Sequence, residues 1–172
     1  LDENATVLLT QKHMIKQDRV WAQSFFGTGD WSTEVTGVGS TPSATQFLQW
    51  DDAASGPIGV IDQWKDTMHE KTGFMPNTLV LGAAVKRTLR THPDISDRIK
   101  YTQVGIADED LLGRLFEVDN VVVARSIYNS AAEGATDSFN YIADEDAMWL
   151  GYIAFAADMY GKGIYAKDHD EA

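Results

Sequence analysis

The sequence predicts an α+β protein, with helices flanking a small mixed sheet. Three observations carry this. A long amphipathic stretch opens the chain at 3 to 26. Shorter helical patterns alternate with one aliphatic run between 57 and 116. Runs rich in Val, Ile and aromatics gather after residue 120. Helices and strands that fall mostly into separate blocks of sequence suit helices packed on a sheet, not a βαβ repeat.

The opening stretch, "ENATVLLTQKHMIKQDRVWAQSFF", places Leu8, Ile15, Ala22 and Phe26 at helical spacing. Asp2 and Glu3 suit the positive end of its dipole, and Gly27 and Gly29 stop it. The apolar stripe is narrow for a core helix, so one side is expected to be wet or to face a partner.

Residues 31 to 56 are rich in Gly, Ser, Thr and Asp, with Trp31, Phe47 and Trp50 spaced among them. This reads as an extended linker tied down by a few large side chains, or offering them to a partner. A second helix is expected over 57 to 72. Pro57 suits its first turn, Ile58, Ile61, Trp64, Lys65 and Met68 follow at helical spacing, and Gly73 ends it.

Pro76 and Asn77 turn the chain into Thr78 to Leu81, which is short and aliphatic enough to be a buried strand. A helix from about Ala84 to Thr91 stops at His92-Pro93, where the imidazole is placed to cap carbonyls. Short helices follow over 94 to 101 and from Asp108, a good N-cap with acids in the first turn. "NVVVARSIYN" at 120 to 129 reads as one strand. "DSFNYIA" and "MWLGYIAF" read as two more, joined as a hairpin by Asp144-Glu145-Asp146, and "AADMYGKG" as a terminal turn.

Composition narrows the function classes. With 26 acidic against 14 basic residues the formal net charge is −12, which repels phosphate backbones and disfavours sequence-specific nucleic-acid binding. There is no cysteine, so thiolate catalysis, disulfides and thiolate metal ligation are excluded. No apolar run approaches the roughly 20 residues of a helical membrane span.

Catalytic patterns are scarce. His13, His69, His92 and His169 share no metal-binding helical spacing. The tail "KDHDEA" gathers Asp168, His169, Asp170 and Glu171 as candidate metal ligands, but a polar chain end is the favoured reading, because local flexibility opposes a rigid site. Asp51 and Asp52 follow Trp50 and offer a sugar-hydrolase reading, in which paired carboxylates would need to face each other across a cleft. No nucleophile elbow and no phosphate-binding glycine loop is present. No catalytic, cofactor-binding or metal residue is therefore assigned, and no cofactor is expected.

The stretch "GFMPNTLVLGAAVKRTLRTHPDISDRIKYTQVGIADEDLLGRLFEVDNVVVARSIYN", from Gly73 to Asn129, resembles the central part of tailed-bacteriophage major capsid proteins of the HK97-like fold. The likeness lies in Gly73, in the Pro76-Asn77-Thr78 step into a strand, and in the helix ending His92-Pro93-Asp94-Ile95. It continues through Asp97 to Thr102, then Leu111, Leu112, Leu115, Phe116 and Val118. The resemblance implies a fragment of that fold. Residues 1 to 30 would be the spine helix of its peripheral domain, 31 to 56 an extended linker, and 57 to 172 most of its axial domain. The family's N-terminal arm, extended loop and closing peripheral strands would lie outside this segment.

It also implies a structural subunit of an icosahedral phage or prophage capsid that self-assembles to enclose DNA, and not an enzyme. Its partners would be copies of itself in hexamers and pentamers, with scaffold, portal and protease proteins, and no membrane. Its location would be the virion capsid, assembled in the bacterial host cytoplasm. An encapsulin-like nanocompartment shell shares the fold and is the alternative, beside the sugar hydrolase.

Overall fold

The computed structural model describes residues 3–100, 108–154 and 162–167, the last stretch as backbone. Five helices are seen among them: α1 (Glu3–Phe25), α2 (Pro57–Thr72), α3 (Ala83–Thr91), α4 (Pro93–Ile99) and α5 (Glu109–Phe116). The strands are β1 (Glu34–Val38), β2 (Gln46–Leu48), β3 (Thr78–Gly82), β4 (Asn120–Ala124), β5 (Ile127–Asn129), β6 (Phe139–Tyr141), β7 (Ala147–Tyr152) and β8 (Lys162–Lys167). Six form one sheet in the order β2-β1-β8-β7-β3-β4, and β5 pairs with β6 in a separate ribbon. The sheet is mixed: β1 runs parallel to β2 and β8, β3 parallel to β4, while β7 is antiparallel to both β3 and β8. The α+β class holds.

Alternation along the two central strands explains why they read as continuously apolar. Leu79 and Leu81 of β3, with Met148 and Leu150 of β7, enter the main core beside Ile61 and Met68 of α2, Leu89 of α3, Ile95 of α4 and Phe116 of α5. Val80, Ala147 and Trp149 point the other way and are covered by Ala22 and Phe26 at the end of α1. Side chains alternate across a strand, so both faces of these two strands are covered.

Local signals work where the sequence placed them. Gly73 closes α2 in the left-handed conformation at φ 75°, with its N–H bonded to the His69 carbonyl. The Asp108 carboxylate accepts from Leu111 N at 2.9 Å and caps α5. At the start of α3, Ala84 N and Val85 N both donate to the Glu145 carbonyl, so β7's approach segment caps this helix. A Cβ on Gly82 would collide with the backbone of Asp144 and Glu145, which is why only glycine fits there.

Five expectations are revised. The 31 to 56 segment is extended, but it carries β1 and β2, which join the sheet through β8. The 120 to 129 run is two strands, broken at Arg125 and Ser126, with β4 in the sheet and β5 in the ribbon. β6 and β7 form no hairpin: β6 pairs with β5, and β7 lies between β3 and β8. The expected terminal turn at 156 to 163 lies mostly outside the described residues, and its last two, Lys162 and Gly163, begin β8. The short helix expected over 94 to 101 ends at Ile99 within α4, and Tyr101 lies outside the described residues.

Candidate assembly surface

The residues proposed for sugar chemistry do not form a site. Trp50 is 1% exposed and packs against Phe47 and Trp64, with ring centroids 4.7 and 5.9 Å away. No sugar can stack on a ring buried in this way. Asp51 is exposed, and the Asp52 carboxylate is engaged by Ala54 N at 2.8 Å in a local turn. Neither carboxylate shares a sugar-binding face with Trp50, which corrects the hydrolase reading.

The linker aromatics serve their own chain. Trp31 donates its indole N–H to the Phe25 carbonyl at 2.8 Å and stacks obliquely on Trp149 at 5.7 Å. Glu34 accepts from Gly29 N and Trp31 N, fixing the turn between α1 and β1. Phe47 and Trp50 belong to the main core.

A serine-histidine pair escaped the sequence reading. Ser55 Oγ lies 2.9 Å from His92 Nε2, and both residues are buried. His92 Nδ1 accepts from Asp94 N at 3.1 Å and so caps α4 instead of capping carbonyls of α3. In the neutral ring Nε2 then carries the proton and donates toward Ser55 Oγ or the Asp52 carbonyl. A catalytic histidine would have to accept the serine proton at that atom. The pair therefore joins a loop to a helix and activates nothing. His13 is exposed on α1, His69 is exposed near the end of α2, and His169 and the acidic tail lie outside the described residues. Among the described residues no cluster could hold a metal ion.

One carboxylate is electrostatically tuned. Glu109 accepts from Lys86 at 2.7 Å and from Arg125 at 3.1 Å, tying α5 to α3 and to the end of β4. The Lys86 hydrogen bond first, then its own backbone N–H and the two cations, hold its carboxyl below the usual range against the opposing effect of burial. The group is partly exposed and lines an open, polar depression with Asp110, Arg114, Glu117 and Asp119.

The prominent surface feature is apolar. α1 has 23 residues, which at ~1.5 Å per residue makes it about 34 Å long. Among the described residues its buried positions lie at its end, Ala22 and, just beyond it, Phe26. Val7, Leu8, Leu9, Met14 and Ile15 upstream are all exposed. The β5–β6 ribbon leans on α1 through Tyr128, whose ring lies 4.6 Å from the Arg19 guanidinium, and through Ser126 Oγ, 3.4 Å from Asp18. Ile127 is directly opposite Tyr141, and Asn129 opposite Phe139. These four share the ribbon face away from Tyr128, and Ile127, Phe139 and Tyr141 are exposed on it. Between α1 and the sheet lies a cavity of about 280 Å³ lined by Trp21, Ala22, Val80, Val122, Ile142 and Asp18. The sequence signal for the ribbon face was the alternation in "IYN" and "FNY". Segments of three residues are too short for that alternation to identify a side.

Comparison with known proteins points to a structural family. The family model of phage major capsid protein E matches residues 41–152. A major capsid protein of Burkholderia phage BcepMu is 41% identical over 95 residues, covering 55% of this chain and 30% of that protein. The solved structure of a phage-related protein from Bordetella bronchiseptica superposes with a TM-score of 0.72 at 25% identity, over 90% of this chain and 48% of that one. The chain thus spans under a third of the curated relative and about half of the solved neighbour. The capsid family is structural and not enzymatic. With the match extending from just before β2 to the end of β7, this chain belongs to the phage major capsid protein E family.

Proposed function

We propose that this chain is part of the structural subunit of a phage or prophage capsid, an icosahedral shell of HK97-like tiles that self-assembles around DNA. The observation that carries the reading is the family match across 41–152, which includes nearly all of the main core and most of the sheet. It also favours a phage shell over an enzyme-enclosing nanocompartment of the same fold. In this reading α1 is the spine helix of a peripheral domain, and residues 57 to 172 form most of the axial domain. Residues 31 to 56 cross between them and lend β1 and β2 to the sheet.

The physical features agree with a tile. An exposed helix with apolar residues suits repeated contacts, each weak and many acting together. A net charge of −12 suits a wall that holds packed DNA without adhering to it. The partners are other copies in hexamers and pentamers, aided by scaffold, portal and protease proteins. Assembly takes place in the bacterial host cytoplasm, and the final location is the virion capsid. Electron microscopy of the full-length gene product tests this. Closed uniform shells are expected, with or without a co-expressed scaffold. A monodisperse small monomer under every condition would overturn it.

A further inference from the structure

The apolar stripe of α1 runs past the domain it covers. Ala22 and Phe26 are buried against the sheet, while Ile15 and Leu8, seven and fourteen residues before Ala22 on the same stripe, are 40% and 53% exposed. Lys12 lies one helical turn after Leu8 and Lys16 one turn after Lys12, so the two form a basic row beside this overhang. Neither forms an ion pair among the described residues. On a chain of net charge −12, the exposed part of α1 is locally basic and greasy.

A second surface has the opposite charge and the same greasiness. Ile127, Phe139 and Tyr141 share one depression with Asp144, Glu145 and Asp146. Tyr128, on the reverse of the ribbon, faces Arg19 of its own α1. The Ile127 face therefore points away from that helix and cannot be covered by it.

We propose that the overhanging half of α1 in one copy docks on the Ile127–Phe139–Tyr141 face of a second copy, with Lys12 and Lys16 set against the acids at 144 to 146. The inference rests on the shell reading and names one of its contacts. It joins two different patches, so it is a head-to-tail contact that can close a ring or extend a lattice, as a shell requires. Apolar burial supplies the attraction, and the charges fix which patch meets which.

The sequence has no cysteine, which makes a crosslinking test clean. Ile15→Cys and Tyr141→Cys are made separately in the full-length chain, with any other thiols replaced by serine. Both sites are exposed, so neither change disturbs a core. The two proteins are mixed, allowed to assemble and oxidised. A disulfide dimer is expected in the mixture and not with either variant alone. It should be lost when the first protein also carries Lys12→Glu and Lys16→Glu, and return when the second carries Glu145→Lys and Asp146→Lys. Shells without a mixed dimer would overturn this contact and leave the shell reading standing. Neither shells nor mixed dimer would overturn both. Maleimide protection of the Ile15→Cys thiol in dissociated subunits would mean that the chain covers its own stripe, and would also overturn the contact.

Discussion

Lys65 Nζ donates to the Phe116 carbonyl at 2.8 Å, from a side chain only 5% exposed. It reaches from α2 to the last turn of α5, where helical carbonyls lack partners of their own and favour a cation. Asp62 and Glu117 lie 3.3 and 3.4 Å from the same ammonium and complete its shell. Lys65→Met keeps the buried stem and removes the donor. It is expected to cost about 1–3 kcal/mol, the penalty for an unsatisfied buried acceptor. A lower urea midpoint with unchanged slope would confirm this. An unchanged midpoint would mean that water replaces the ammonium.

Gly82→Ala is expected to disrupt the junction of β3 and α3. The added methyl meets the backbone of Asp144 and Glu145, which also holds the two amides that start α3. Neither backbone can move without losing those bonds or the β3–β7 pairing. A destabilisation of roughly 2–4 kcal/mol is expected, in the range of overpacked sites with backbone shifts. Thermal melts that match the parent protein would refute the close approach.

The Trp50 neighbourhood separates packing from chemistry. Asp51→Asn changes an exposed side chain and should leave stability within about 0.5 kcal/mol. Trp50→Ala empties the aromatic cluster with Phe47 and Trp64 and should cost roughly 3–5 kcal/mol. Circular dichroism melts of the two variants give the comparison directly. Equal melting temperatures would contradict the burial of Trp50.

Glu109 gives the protein a defined acid dependence. Its folded carboxyl lies below the ordinary value, so the group stabilises the fold above the unfolded pKa of about 4.3 and loses that effect as pH falls through the lower folded value. The carboxylate is 38% exposed, so solvent screening limits the contribution to under about 1 kcal/mol. Glu109→Gln should therefore be less stable than the parent at pH 7, and the gap should shrink below about pH 4. A gap that grows on acidification would contradict the assigned cause.

The sequence disclosed what local chemistry determines. Pro57 and Gly73 bound α2, Asp108 starts α5, and the aliphatic run at 78 to 81 is a strand covered on both sides. Long-range pairing was out of reach. β1 and β2 are too short to declare themselves, and β1 enters the sheet because β8, far along the chain, lies beside it. The acids at 144 to 146 looked like a hairpin tip, yet the Glu145 carbonyl serves α3 and the strands on either side join different sheets. The apolar residues of α1 were legible as a narrow stripe, but which half is covered depends on where the sheet ends. Ser55 and His92 meet across 37 positions, with no shared motif to connect them.

The position of β8 has a consequence for how the molecule is made. It separates β1 from β7, so the strands formed early in the chain reach the remainder of the sheet only through the last one. During synthesis, β1 and β2 must wait, unpaired with the β3–β4–β7 block, until the ribosome has released nearly the whole segment. Such remote pairing slows folding and leaves strand edges open to strangers in the meantime. That interval is when unwanted pairing competes most strongly with the native sheet.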